Sequence, residues 1–236
     1  MKTIVKHSQI GTIEITTRTN SRGISYRVSS DYVRITTHPL HVNAIFPLSE
    51  ERILWILEMK QKLALRSTRI KPFTPTSEIQ TNKFQIKFKS DDSIRTSLCA
   101  TRIDNELIIA YTSTLDFTNE TTQKKIKELI SYFLKKEATL YLKRRLTELA
   151  HQYGFIYHSV KINGAHTRWG SCSVKKQINL SYYLMLLPDE LIDFVLVHEL
   201  CHTRIMNHGV EFKQLMQHIF PDYATLTKSL KEQHTL

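Results

Sequence analysis

Cysteine, glycine and proline are all sparse in this sequence. Only three cysteines, six glycines and six prolines are spread over its 236 residues. An odd, scattered set of cysteines argues against a disulfide framework and suits a reducing compartment. The low glycine and proline content, together with 41% hydrophobic residues, excludes a collagen-like or low-complexity chain and predicts an ordinary globular core.

Long apolar segments are also missing. No run approaches the roughly 18 consecutive apolar residues that a membrane-spanning helix needs. The N-terminal segment MKTIVKHSQIG has lysine and histidine where a signal peptide requires an unbroken apolar stretch. We therefore expect a cytoplasmic protein with no membrane partner.

The formal net charge of +11 is distributed unevenly. Residues 1–75 contain twelve Lys or Arg against five Asp or Glu, and residues 121–150 contain eight against three. The remaining segments, 76–120 and 151–236, are close to neutral. A basic N-terminal region of this kind either associates with a polyanion such as nucleic acid or forms a solvated basic face, and both interpretations stay open.

Hydrophobic periodicity predicts an α+β fold. Residues 3–17 and 23–37 predict strands, the segment PLSEERILWILEMKQKLAL predicts one helix, and three short strand-like runs between residues 83 and 112 predict a β-meander. We therefore expect a β-rich N-terminal region, 1–118, that contains one helix. Residues 119–236 then form a second region with a long helix, a short sheet and a further helix.

The boundaries of the second region follow from turn and cap residues. The long helix is expected to begin after Asn119 and to stop near Gly154. The segment QINLSYYLMLL predicts a strand, and Pro188 at the first helical position predicts a helix that continues to Ile205.

The stretch HELCHTRIMNH has the spacing of a metal site. On a helix, His198 and His202 lie on one face and can share an ion, and imidazole nitrogen suits Zn²⁺. Glu199 projects beside that face, where a carboxylate can take a proton from a water molecule. His208 supplies a third ligand if the chain turns back, and Gly209 favours such a turn. The competing interpretations are hydrogen-bonded core histidines and a structural zinc site, which needs a fourth ligand.

Four segments resemble one known family. TRWGSCS, INLSYYLMLLP, IDFVLVHELCH and MNHGVEF are similar to the YgjP-like metallopeptidase family, whose members are HExxH zinc proteins distantly similar to the SprT and WLM groups. The resemblance implies a zincin-like catalytic region, with zinc bound by His198, His202 and His208 and with Glu199 as the catalytic residue. The chain departs from the family pattern at positions that hold no ligand, namely Gln177, Ser181, Gly209 and Lys213.

These residues favour the zinc-dependent hydrolysis of a peptide or protein substrate. Glu199 would act as general base, and the transition state needs a further charge or hydrogen-bond donor, for which His166 and Arg168 are candidates. For Arg168, a clamp on the WGSC turn is the favoured alternative. The strand QINLS is expected to pair with the substrate. The alternative function is a nucleic-acid-associated basic module with a secondary or vestigial zinc site.

Overall fold

A computed structural model describes the protein at residues 2–29, 31–69 and 72–233, and for residues 64–69 it describes the backbone alone. The fold is mixed α+β, as the hydrophobic periodicity predicts. None of the helices in these residues is both long enough and apolar enough to cross a membrane.

The first compact unit, Met1–Lys71, contains one sheet and one α-helix. Its four strands lie in the order β1-β2-β4-β3, with β2 parallel to β4 and the other pairs antiparallel. A 3₁₀ turn over Pro39–Ala44 leads to helix α1, whose first turn is capped by the Ser49 hydroxyl accepting from the Arg52 N–H at 3.3 Å. The elements are β1 (Lys2–His7), β2 (Gly11–Thr17), β3 (Ser25–Val28), β4 (Tyr32–Thr37) and α1 (Glu50–Arg69).

Alternation along the strands decides which face of this sheet is buried. Side chains of β2 and β4 alternate between a fully buried and a half-buried position, as period-2 strands do when only one face is covered. The buried face packs against Ile56 of α1. On β2 and β4 this buried face is formed by Ile13, Ile15, Val33 and Ile35.

The second compact unit, Pro72–Leu236, begins with another four-stranded sheet. Its strands are β5 (Ile79–Gln80), β6 (Gln85–Ser90), β7 (Leu98–Ile103) and β8 (Glu106–Tyr111), in the order β5-β6-β8-β7. The predicted meander is therefore wrong, because β8 lies parallel to β6 and β7 pairs with β8 alone. A tight turn at Asp104 joins β7 to β8, whereas the longer connection 91–97 lets the chain cross before β7 begins.

The compact units divide at residue 71, whereas the sequence pattern places a boundary after residue 118. The second sheet shares a hydrophobic core with the long helix that follows it, since Ile86 and Leu107 belong to the same buried cluster as Ile126 and Ile130. The strand-rich composition of β5–β8 resembles that of the N-terminal region, but these strands pack in one core with the helices that follow them.

The long helix α2 spans Glu120–Gln152. The Asn119 side chain caps it by accepting from the Thr121 N–H at 2.8 Å, and Gly154 follows its end with a left-handed φ of 67°. Both ends are as predicted. A continuous buried stripe runs along one face of this helix, formed by Ile126, Ile130, Leu134, Ala138, Leu142, Leu146 and Leu149.

A three-stranded sheet follows α2. It comprises β9 (Ser159–Asn163), β10 (Gly170–Cys172) and β11 (Gln177–Ser181), in the order β10-β11-β9. The central strand is β11, which is antiparallel to β10 and parallel to β9. The strand predicted over 177–187 ends at Ser181, and residues 182–186 form a 3₁₀ turn.

Three helices complete the chain: α3 (Asp189–Cys201), α4 (Val210–Ile219) and α5 (Tyr223–Glu232). Pro188 is the N-cap of α3 and not its first helical residue, and the helix ends at Cys201, four residues before the predicted end. Residues 191, 192, 194–197 and 199–201 of α3 are buried, so the helix lies inside the second unit. The sequence pattern did not predict α4 or α5.

Candidate active site

The last turn of α3 brings ionisable side chains into a hydrophobic interior. Leu196, Val197 and Leu200 around it are completely buried. Glu199 and His202 are 5% and 7% exposed. Polar groups in such a place need partners, because an unsatisfied buried polar group costs about 1–3 kcal/mol. We therefore looked for the groups that could satisfy Glu199 and His202 at the end of α3.

Three histidines converge here through the same ring atom. The Nε2 atom of His202 lies 3.2 Å from that of His198 and 3.1 Å from that of His208. The third separation, between His198 and His208, is 3.1 Å. In a tetrahedral site with bonds of about 2.0–2.1 Å, ligand nitrogens lie roughly 3.3 Å apart. The three imidazoles thus have the spacing of ligands to one small ion, and they form the one such metal-competent group among the described residues.

Hydrogen bonding and burial leave these rings in the form that binds a metal. The Nδ1–H of His202 donates to the Ile205 carbonyl at 3.0 Å, which leaves the lone pair on Nε2. Burial, with the adjacent His202 and His208 rings, lowers the pKa of His198 to about 3. Burial also lowers the pKa of His202. Neutral rings with converging lone pairs repel one another unless a cation lies between them.

His208 reaches the other two rings by a turn that differs from the expected one. The Asn207 side chain accepts from the Gly209 N–H at 3.2 Å and closes the turn. Gly209 has φ −67° and ψ −167°, so it adopts extended backbone as the N-cap of α4. Neither Asn207 nor Gly209 has the left-handed backbone conformation that is common in such turns. Asn207 contributes through its side chain instead.

Phe212 supports all three imidazoles and was missed by the sequence analysis. Its fully buried ring, in the first turn of α4, stacks on His202 with a centroid separation of 4.6 Å and an interplanar angle of 26°. The centroids of His198 and His208 each lie 4.9 Å from the same ring, at steep angles. The helical spacing of Phe212, Leu215, Met216 and Ile219 in the sequence was a signal for α4, but it does not indicate contact with the histidines.

We predict that Phe212→Leu weakens metal binding more than it weakens the fold. Leucine keeps most of the buried volume but removes the flat surface that orients three rings. Residues that orient metal ligands typically change metal affinity by 10–100-fold, so we expect a loss of about tenfold or more. The measurement is competition for Zn²⁺ with a chromogenic chelator. Met216→Leu, one helical turn further along and equally buried, is the control and should keep wild-type affinity.

Glu199 packs directly on the backbone of β10. A Cβ atom added to Gly170 would lie 2.6 Å from Oε1 and 2.7–2.8 Å from Cγ and Cδ of Glu199, distances that real Cβ atoms do not show. Its other oxygen, Oε2, is buried and has no hydrogen-bond partner among the described residues. Burial raises the pKa of the Glu199 carboxyl to about 8, against a smaller opposing effect of the Arg168 guanidinium.

The other two candidates lie in different environments. Arg168 is exposed, and no hydrogen bond or ion pair joins it to another described residue. The His166 ring lies against Tyr183, with centroids 4.6 Å apart and its Nε2 3.3 Å from the tyrosine hydroxyl. Burial lowers the pKa of His166.

Two residues near the site have structural contacts instead of ligand positions. Cys172 is half-buried, its thiol lies 3.5 Å from the Ser173 carbonyl, and it is not part of the metal-competent group. Asp193 of α3 forms a two-point ion pair with Arg145 of α2 at 2.7 and 2.8 Å. This ion pair joins α3 to α2.

Solved structures that are similar to part of this chain include two metallopeptidase zymogens. The metallopeptidase zymogen jannalysin of Methanocaldococcus jannaschii is 21% identical over 39% of this chain and 94% of its own, with a TM-score of 0.35. The metallopeptidase zymogen abylysin of Pyrococcus abyssi is 21% identical over 40% of this chain and 98% of its own, with a TM-score of 0.36. Among curated proteins, none matches the sequence significantly.

The family comparison covers most of the chain. The model of the YgjP-like metallopeptidase domain matches residues 24–233, a range that includes the three histidines, Glu199 and the strands beside them. The resemblance seen in the four sequence segments is therefore confirmed. The chain belongs to the YgjP-like metallopeptidase family.

Proposed function

We propose that the protein is a zinc-dependent metallopeptidase in which His198, His202 and His208 hold the ion and Glu199 is the general base. The observation that carries the proposal is the convergence of three Nε2 atoms within 3.1–3.2 Å beside a buried carboxylate oxygen with no partner among the described residues. The helix under the short sheet, with the edge strand β10 beside Glu199, supports a zincin-like arrangement.

The donor set supports zinc and an open coordination position. Imidazole nitrogens suit Zn²⁺, whereas Ca²⁺ and Mg²⁺ prefer oxygen ligands. Structural zinc sites are closed by four protein ligands, and catalytic sites use three. In the part of the chain that the structure describes, no fourth histidine, cysteine or carboxylate joins the group. This supports a catalytic site over a structural one.

The chain's own residues supply the proton transfers of hydrolysis. Zn²⁺ held by His198, His202 and His208 would supply Lewis-acid polarisation of the substrate carbonyl and would lower the pKa of a water molecule to about 7. Burial alone would keep Glu199 largely protonated at neutral pH, but the positive charge of a bound Zn²⁺ would favour its carboxylate form. In that form Glu199 takes a proton from the attacking water on Oε2 and later delivers it to the leaving amine nitrogen. The apolar surroundings of Glu199 exclude other water molecules, and Gly170 holds its carboxylate in place.

Arg168 is better placed than His166 to stabilise the developing negative charge. The guanidinium of Arg168 is exposed and makes no hydrogen bond or ion pair with any described residue, so its donors are available to an oxyanion. It precedes by two residues the glycine on which Glu199 packs. His166, by contrast, lies against the ring of Tyr183.

The substrate strand is expected to pair with β10 and not with β11. Both edges of β11, the QINLS segment, are already paired, so the expectation that it binds a peptide is wrong. The Trp169 carbonyl accepts from the Ser181 N–H of β11 at 2.8 Å. Because bonding alternates along an antiparallel pair, the backbone groups of Gly170 and Cys172 point to the open edge of β10. An extended peptide on that edge lies next to Glu199.

Metal analysis combined with peptide cleavage tests this function. Purified protein is expected to contain stoichiometric zinc by elemental analysis and to cleave members of a peptide library. Chelation should stop cleavage and added Zn²⁺ should restore it, while His202→Ala should lose both metal and activity. Protein that takes up no stoichiometric transition metal after reloading, or cleavage that persists in chelator, would contradict the proposal.

A further inference from the structure

The first sheet has an outer face that α1 does not cover. Strand alternation and register place on it the residues that alternate with the buried Ile13, Ile15, Val33 and Ile35. Four cations lie on this face. Lys2 and Lys6 belong to β1, Arg27 belongs to β3 and Arg34 belongs to β4. The one carboxylate among them is Glu14.

Glu14 leaves most of this positive charge unbalanced. Its carboxylate bridges the Lys2 ammonium at 2.9 Å and the Arg34 guanidinium at 2.8 Å, which holds both side chains over the sheet. Lys6 and Arg27 are exposed and have no ion pair among the described residues. On a solvated surface, positive and negative side chains are normally interspersed. This face has four cations and one carboxylate and therefore carries a net charge of +3.

An aromatic ring and hydroxyl groups lie between the cations. Tyr32 is half-exposed on the same face, and the Arg34 guanidinium lies 5.1 Å from its ring centroid. The register aligns it with Thr12, and places Lys6 on the far side of Thr12. Tyr32 and Arg34 are two residues apart on β4 and therefore share this face, and strand pairing adds Lys6 and Arg27 from the other strands. Other hydroxyls on this face are those of Thr16, Ser25 and Thr36.

We infer that the outer face of the first sheet binds single-stranded RNA. Cations spread over one sheet face attract a phosphate backbone, and a half-exposed ring beside an arginine offers a stacking position for an unpaired base. The serine and threonine hydroxyls favour RNA over DNA, because the ribose 2′-OH is both a donor and an acceptor. The residues of this surface all belong to the first compact unit, and the inference does not depend on the proposed peptidase function.

Fluorescence anisotropy of a labelled mixed-sequence 20-nucleotide RNA, with the full-length protein, tests the inference. We expect binding that weakens with salt at a slope of roughly 0.7 for each cation engaged. We also expect binding at least about threefold tighter than that of DNA of the same sequence. No binding at low salt, or binding of duplex or DNA as tight as that of RNA, would overturn the inference.

Matched variants locate the surface. Lys6→Gln with Arg27→Gln should weaken RNA binding and reduce the salt slope by roughly 0.7 for each charge removed. Lys135→Gln with Lys136→Gln on the exposed side of α2 removes the same charge and should leave binding unchanged. Tyr32→Leu should weaken binding by about fivefold or more with an unchanged salt slope. Equal losses from the two double variants would assign binding to overall charge and overturn the inference.

Discussion

Glu199→Gln is expected to abolish peptide cleavage while zinc stays bound at the wild-type stoichiometry. Glutamine has the same shape and fits the same cavity against Gly170, but its amide cannot accept a proton from water. Loss of a general base lowers kcat by about 10²–10⁴, which would bring a modest peptidase to the detection limit. Elemental analysis and a single-turnover assay on the same preparation measure the two quantities together.

The control for this substitution lies on the same helix. Glu190→Gln makes the identical chemical change in the exposed first turn of α3 and should keep wild-type kcat. Because the Glu199 carboxylate is buried, the amide variant should also be no less stable to heat than the wild type. Cleavage by Glu199→Gln at the wild-type rate would reject the assignment of the general base. Loss of zinc in that variant would mean that Glu199 acts on the metal site itself.

Helix geometry explains why the three histidines could be found from the sequence. Two residues four apart on a helix must share a face, so His198 and His202 are placed together by local structure alone. The structure brings their Nε2 atoms to 3.2 Å, although His202 is at the end of α3 and not inside it. His208 required a turn whose existence was predictable from Gly209, but whose backbone angles were not.

Strand order could not be predicted in the same way. Alternation of apolar and polar residues is the same whether a strand has a parallel or an antiparallel neighbour. The three runs between residues 83 and 112 therefore predicted strands correctly and their pairing wrongly. The central position of β11, between β9 and β10, was equally unpredictable from the sequence. Because β11 has no free edge, the expected peptide-binding strand is its neighbour β10.

The supporting residues of the site depend on contacts distant in the sequence. Phe212 reaches the histidines because α4 folds back on the end of α3, and Gly170 reaches Glu199 from a strand almost thirty residues earlier. Neither contact leaves a periodic signal. The glycine in RWGSC marks a position of close approach, but the sequence does not say to which side chain.

Gly170→Ala is therefore expected to lower kcat by about a hundredfold without releasing the metal. The new methyl group would lie about 0.6–0.8 Å inside the 3.4 Å of ordinary contact with Oε1, Cγ and Cδ of Glu199. The carboxylate must move by a comparable distance, and a displacement of about 1 Å at a reacting group can cost 10² in rate. Zinc stoichiometry should stay close to the wild-type value, because the atoms nearest to the added methyl group belong to Glu199 and not to the three histidines.

Gly23→Ala is the matched control. It adds the same methyl group where nothing lies within 4 Å, so kcat and zinc content should not change. We expect overpacking at Gly170 to lower the stability by about 1–3 kcal/mol, which thermal unfolding measures separately. Wild-type kcat in Gly170→Ala, or loss of zinc from a folded Gly170→Ala protein, would contradict the role of this glycine.

A double-mutant cycle separates a steric effect on Glu199 from general damage to the strand. Glu199→Asp shortens the side chain by one methylene and withdraws it from the space that the alanine methyl takes up. If the two residues act through that contact, the loss of kcat in the double variant should be smaller than the product of the single losses, by about fivefold or more. Simple multiplication of the two losses would show that the methyl group disturbs β10 or the substrate, and not the position of the carboxylate.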